Sequence, residues 1–495
     1  MTGIFLELDK FSPDVKIGVV SASRNCFPRE LSEKRTESLL KELAPLGVNV
    51  VRPSGRCSII ESKADACAAA EDLLKNGCDA AVLYLGNFSP EIEDANFVKA
   101  FNKPVLLMAA AEENSESVSS ARGDALCGLM SATLAIAKRG LWQRVSMPKK
   151  PLVDAKRGAL EIERFSKIVK VIKGVSNATI GLFGPRPRDF ESCNYNVASL
   201  ASIGVEVEEF GLFDLENEIA RIRAESPECA DESKKSILKT DGVDDPVLAE
   251  RFSVYEQALL SMRKKLKLSG ATTQCWTRQE EYSKHVPCFI NSRLTERGFP
   301  IACENDAYSL VCELMCQYAS GNAPTMLDLN HTIPSDMLGG LDIENKDDVI
   351  GLFHCGNVPS KFMKSPKVCY QLIMSRLMEP GKKPDLTRGT LEGSIKPSDI
   401  TILQIHGSGD GLRAYICEGS FLDVDPKTFG STGVAYVPGF MRFYRNCILG
   451  KFHHHVAVAF SHCGGVLFEA LRQLGVKEIY TPELKPLYEG ENPFD

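Results

Sequence analysis

Through the first third of the chain, short apolar runs alternate with stretches whose apolar residues recur at helical spacing. Residues 15–21 (VKIGVVS) form the first run and end on small polar residues. A helix pattern follows, with Leu39, Leu40 and Leu43 on one face. Pro45 disfavours helical geometry at the residue before it, and Gly47 suits the position just past a helix end. A strand over 48–51 then resumes. The rhythm repeats as a helix over 68–74, strands over 80–85 and 104–108, and a helix over 121–139 that is apolar on most faces. Continuously apolar strands between helices predict a parallel sheet covered on both sides.

A polar, Pro- and Lys-rich stretch at 147–157 reads as a linker, and a long helix follows over 159–173. The run 179–183 (TIGLF) opens a second α/β unit, continued by a strand at 205–207 and an amphipathic helix over 249–266. From about residue 346 the segments become short, β-rich and Gly-punctuated, at 349–353, 400–405, 412–418, 434–437 and 456–460. That pattern predicts an all-β or barrel-like part. The expected organisation is an N-terminal α/β domain over 1–172, a central α/β domain over 173–345 and a C-terminal β-barrel domain over 346–495. Roughly three domains is also what the length suggests.

Composition narrows the function classes. Lys plus Arg is 58 and Asp plus Glu is 65, a net charge of −7, which argues against a general nucleic-acid binder. Hydrophobic residues at 44% and charged residues at 25% exclude global disorder. No apolar run approaches the roughly 18–20 residues that cross a bilayer. Charges at Glu7, Asp9 and Lys10 interrupt the apolar stretch a secretory leader needs. The expectation is a soluble, cytoplasmic protein without membrane or nucleic-acid partners. Seventeen cysteines, an odd number without a CxxC pair, read as reduced thiols and not as a zinc ribbon or disulfide framework.

Three places carry candidate chemistry. The triplet His453-His454-His455 enters an apolar strand, so His453 and His455 share one face and His454 takes the other. Imidazole is the commonest metal ligand. A surface histidine run is the competing reading, and the apolar strand that follows favours the metal. Glu304 and Asp306 follow the apolar 298–302 (GFPIA), where open α/β sheets bind ligands, although each also suits a helix start. Asp328 closes the apolar run 324–328 and His354 ends another, with a turn and a structural histidine as their ordinary readings. Together Glu304, Asp328, His354 and His455 suit Mn²⁺ or a similar divalent ion. Convergence on one ion requires the Glu304 and Asp328 carboxylates within roughly 8 Å of each other.

Several signals are absent. No GxGxxG follows a strand, and no GK[ST] or GxSxG occurs. The Gly-rich 406–411 (HGSGDG) lies between two strands and reads as a hairpin turn.

At these residues the chain resembles the L-fucose/L-arabinose isomerase family. The stretches that carry the resemblance are 180–187 (IGLFGPRP), 292–306 (SRLTERGFPIACEND), His354-Cys355-Gly356 and 454–458 (HHVAV). The step from Glu304 to Asp328 looks like that family's pair of metal-binding carboxylates. The resemblance implies two Rossmann-like (flavodoxin-like) α/β domains, a C-terminal β-barrel, and a homo-oligomer, trimer or hexamer, with active sites between subunits. It implies aldose–ketose isomerisation of a free sugar with Mn²⁺, or another divalent cation such as Mg²⁺ or Co²⁺. Glu304, Asp328 and His455 are then the metal ligands. Gln274, His354 and His454 are substrate-contacting positions, His354 being a further ligand in the arabinose branch.

The residue types fit that chemistry. Moving a proton between adjacent carbons through an enediol needs two positioned acid–base groups, for which Glu304 and Asp328 are the candidates. The expected activity is a ketol isomerase for a pentose or 6-deoxyhexose of the L-fucose, D-arabinose or L-arabinose type. A cysteine-dependent hydrolase using Cys355 or Cys463, and a non-catalytic sugar-binding protein, are the alternatives.

Overall fold

The computed structural model describes residues 8–119, 122–225, 227–408, 411–482 and 492–494. Glu7, on which the reading of the N-terminus partly rests, lies outside them. The chain divides into two compact units, one built mainly from Pro13–Lys173 with Phe468–Gly475, the other mainly from Gly174–Leu467.

In the first of these, the opening apolar run becomes the strand Ile17–Ala22, buried at every position. The helix Arg29–Leu43 ends just ahead of Pro45, and after one tighter turn Gly47 adopts φ 68°, a conformation free of steric cost only for glycine. Five parallel strands lie in the order Val50–Val51, Ile17–Ala22, Ala80–Leu85, Val105–Ala110, Val145–Ser146. Counted along the chain this is 2-1-3-4-5, the flavodoxin-like order. Two short strands extend the sheet, Ile59–Ile60 beside Ile17–Ala22 and Leu152–Val153 beside Val105–Ala110. The second replaces the linker expected at 147–157. Val153 is buried, so two apolar residues form a strand despite the Pro and Lys around them, and the helix starts at Ala155.

The helix Glu91–Phe101 carries Asp94 into this core at 0% exposure. Its Oδ2 accepts a hydrogen bond from Ser89 Oγ at 2.5 Å, and its Oδ1 has no partner among the described residues. Burial pushes the carboxyl up to about 8, against the opposing Ser89 bond. An unfolded aspartate titrates near ~3.9. Asp94 therefore favours the fold fully below about pH 4, and that contribution is lost as pH rises towards 8. Asp94→Asn cannot ionise, so it should gain on wild type by about 5 kcal/mol between pH 4 and pH 8. Urea midpoints at several pH values check this; midpoints that track each other from pH 4 to 8 would refute the buried acid.

The larger unit opens with a second parallel sheet, in the order Ile301–Ala302, Gly270–Thr273, Thr179–Phe183, Glu206–Phe210. Its third sheet is mixed and nine-stranded. The order is Met363–Tyr370, Arg388–Ile395, Ser431–Tyr436, Val349–His354, Thr325–Thr332, His455–Ala459, Ser398–Ser408, Gly411–Phe421, Glu478–Tyr480. Gly411–Phe421 also pairs with Ser431–Tyr436 through Ser420 and Phe421. The hairpin expected from the Gly-rich stretch is present, paired down to Ser408 and Gly411, while residues 409 and 410 lie outside the described residues. The last third is not all-β: helices Leu372–Met378, Phe440–Leu449 and Gly464–Gln473 interrupt it. Phe440, Phe443 and Cys447 are buried at helical spacing, a signal the strand pattern around them obscures. No helix among the described residues is long and apolar enough to cross a membrane.

Candidate metal centre

Glu304 lies just past the carboxyl end of Ile301–Ala302, in the loop before the helix Ala307–Ser320. Asn305 ties that loop to the neighbouring strands. Its N–H donates to the Thr273 carbonyl at 3.1 Å, and its side-chain amide donates to the Gly184 carbonyl. Glu304 and Asn305 have φ of 60° and 56°. Asparagine tolerates this left-handed region, but a glutamate there stores strain of order 1–3 kcal/mol, the kind of cost found at functional loops.

Asp328 sits inside the strand Thr325–Thr332 and does not close it, flanked by Phe353 on one side and His455 on the other. Residues directly opposite on antiparallel strands share a face, so Asp328 and His455 lie side by side. His455 Nε2 is 3.0 Å from Glu304 Oε2 and 3.6 Å from Asp328 Oδ1. Both oxygens are buried without a hydrogen-bond partner among the described residues. The two carboxylates thus converge on one nitrogen, inside the roughly 8 Å that a shared ion allows. On the far side of the ring, His455 Nδ1 donates to Asp306 Oδ2 at 2.8 Å.

The remaining candidates surround this group at different depths. His453 Nε2 is 3.7 Å from the same Asp306 oxygen, so His453 and His455 approach one carboxylate although the strand begins only at His455. The His454 side chain is 45% exposed, with Nε2 3.9 Å from Asp328 Oδ1. His354 ends its strand buried, its ring 6.4 Å from that of His455 and its Nδ1 without a partner among the described residues. Gln274 follows the strand Gly270–Thr273, its Oε1 buried and without a partner among the described residues. A cavity of about 500 Å³ is lined by Tyr308, His406, Phe452 and His453; Glu304 and Asp328 do not line it.

Three neighbours escaped the sequence reading. Trp276 Nε1 donates to Glu304 Oε1 at 2.9 Å. Phe190 packs its edge on Trp276 with centroids 5.2 Å apart, and lies 6.2 Å from both His454 and His455. Cys193 Sγ is 3.8 Å from His455 Nδ1, although 262 residues separate them. Trp276, one of two tryptophans and two positions after Gln274, was the available signal. No local pattern marks Phe190 or Cys193.

Burial and charge set the protonation states. Burial alone would raise Glu304, but His455 outweighs it and holds the carboxyl below its ordinary value. Burial pushes Asp328 up to about 7, helped by the charge of Glu304. His354 is pushed down to about 4 by burial, so it is neutral. Burial opposes a charge on His455, yet Asp306 and Glu304 hold its imidazole well above the ordinary value. Two buried carboxylate oxygens facing one imidazole nitrogen are the donor types that a divalent cation of the Mn²⁺ type takes. Two sets of donor atoms lie mutually within 4.8 Å among the described residues, Asp328 with His454 and His455, and Cys193 with Asp306 and His455, while Glu304 approaches through His455.

Two family models match the chain. Residues 18–176 match the fucose/sulfoquinovose isomerase N-terminal domain, and residues 352–481 match the L-fucose isomerase C-terminal domain. Together they span more than half of the sequence. Similar proteins include a sulfoquinovose isomerase of Alkalicoccus urumqiensis, 23% identical over 274 residues, or 54% of this chain and 56% of that protein. A sulfoquinovose isomerase of Priestia megaterium is 23% identical over 270 residues, 54% of this chain and 55% of that protein. The chain thus spans about half the length of the curated relatives it matches.

Proposed function

Because the chain belongs to the fucose isomerase-like family, we propose that it is a metal-dependent aldose–ketose isomerase acting on a free pentose or 6-deoxyhexose. The observation that carries this reading is the convergence of Glu304 Oε2 and Asp328 Oδ1 on His455 Nε2. Glu304, Asp328 and His455 hold the cation, Mn²⁺ or a similar ion. When bound, such an ion acts as a Lewis acid towards charge developing on two adjacent sugar oxygens.

The chain's own groups move the protons. One carboxylate of the Glu304–Asp328 pair takes a proton from the carbon beside the carbonyl and the other returns one to the carbonyl carbon, while the proton of the adjacent hydroxyl passes to the former carbonyl oxygen. In the metal-free protein burial raises Asp328 above the ordinary carboxylate value while Glu304 is held below it, which makes Asp328 the more basic of the pair. Gln274, His354 and His454 orient the sugar. The buried, unpartnered Gln274 Oε1 and His354 Nδ1 are atoms that sugar hydroxyls would satisfy. Trp276 and Phe190 supply an apolar wall beside Glu304.

The thiol alternative is weakened at Cys355. Burial, with the charges of Glu304 and Asp328, pushes that thiol well above its ordinary value, the reverse of what a nucleophile needs. Further parts of the proposal are closure of the mixed sheet into a barrel, supported by the pairing of Phe421 with Ala435, the three-domain division at 172 and 345, and a cytoplasmic homo-oligomer.

An isomerisation screen tests the activity. L-fucose, D-arabinose and L-arabinose are offered with Mn²⁺, together with sulfoquinovose, the sugar in the relatives' names. Turnover should vanish with EDTA and return with Mn²⁺. Turnover that survives complete chelation overturns the metal dependence, and sugar binding without turnover supports the non-catalytic alternative.

A further inference from the structure

One buried acid has no part in the proposed reaction. Asp306 is 0% exposed and makes two kinds of bond. Its Oδ1 accepts from the Ser309 N–H at 2.9 Å and so caps the helix Ala307–Ser320. Its Oδ2 accepts from Ser309 Oγ at 2.7 Å and from His455 Nδ1 at 2.8 Å. The cap does not require the second set, since serine and asparagine cap equally well.

The bond to His455 decides which ring nitrogen must carry a hydrogen. A carboxylate can only accept, so Nδ1 is the donor. Nε2 is then the nitrogen left to face Glu304 and Asp328, at 3.0 and 3.6 Å. The hydrogen bond made by one imidazole nitrogen sets which nitrogen can bind a metal, and the partner acid also fixes the ring's orientation. Cys193 is buried and the His453 side chain is 5% exposed, which limits the water that can compete for Nδ1.

We infer that Asp306 is a positioning residue that holds His455 with its hydrogen on Nδ1 and its Nε2 lone pair available to the cation. The inference rests on the proposed metal reading. It makes a prediction at the level of single atoms. In Asp306→Asn, the Ser309 N–H demands the amide oxygen at the Oδ1 position. That turns the NH₂ group towards His455 Nδ1. A donor there requires a bare Nδ1, so the ring keeps its hydrogen on Nε2, pointing at Glu304 and Asp328, where the cation would bind. Asp306→Ser keeps a capping oxygen but is too short to reach His455, which separates capping from positioning.

The test measures Mn²⁺ affinity by calorimetry, alongside nitrogen spectra of metal-free protein labelled with ¹⁵N-histidine. Asp306→Asn should bind Mn²⁺ at least ~10-fold and up to ~100-fold more weakly, the range for loss of an outer partner of a metal-binding histidine. Its His455 Nδ1 should be unprotonated, whereas the wild type's is protonated. Asp306→Ser should keep the circular dichroism of the wild type and still lose affinity. An asparagine variant with wild-type affinity and a protonated Nδ1 overturns the inference, as does a serine variant with wild-type affinity. A wild-type protein that binds no Mn²⁺ overturns the metal reading instead, and the nitrogen spectra then still report whether Asp306 holds the Nδ1 hydrogen.

Discussion

Asp328→Asn is expected to lower isomerase turnover by at least ~10²-fold at saturating Mn²⁺, the lower end for a lost general acid or base. Asparagine keeps the side-chain volume and one oxygen towards His455, so the geometry at 3.6 Å can persist. What it removes is the basic carboxylate oxygen that would take up or return the carbon-bound proton. The fold should survive, because a neutral amide replaces a group whose ionised form is costly at that depth. Weakened metal binding could give the same loss, so occupancy must be measured on the assayed sample. A variant that holds the metal and turns over near the wild-type rate would leave Asp328 a ligand without a proton-transfer role.

His455→Ala should have two separable consequences. Mn²⁺ affinity should fall by at least ~10²-fold, since losing a ligand exceeds the effect of losing its outer partner. Metal-free stability should also fall, by about 3–5 kcal/mol, because Asp306 would be left as a buried charge stripped of its hydrogen-bonded cation. Asp306 is 0% exposed, and after the change its remaining imidazole neighbour is His453 at 3.7 Å. Denaturation in EDTA reads the second effect free of the first. Wild-type stability there would mean that the pair does not hold the loop to the sheet; wild-type Mn²⁺ affinity would remove His455 from the ligand set.

Much of this protein is legible in local sequence. The strands Ile17–Ala22, Ala80–Leu85, Val105–Ala110 and Thr179–Phe183 stand out because parallel strands covered on both faces must be apolar throughout. Pro45 and Gly47 mark a helix end because their backbone restrictions act on immediate neighbours. The acids and histidines of the candidate centre are visible as polar residues beside apolar runs. Other features have no local signature. Gly270–Thr273 is small and partly polar, yet it is a buried strand between two others. Leu152–Val153 is too short to stand out from its Pro- and Lys-rich surroundings until Ala109 and Ala110 pair with it. Asp306 reads as a helix cap from sequence alone, and only the packing of the helix Ala307–Ser320 against the strand His455–Ala459 gives it a histidine to hold. The pairing of Asp328 with His455, and the approach of Cys193 and Phe190, depend on sheet order and register between distant segments. Those are set by how whole faces bury against one another, a property of the assembled core that no residue's own propensity carries.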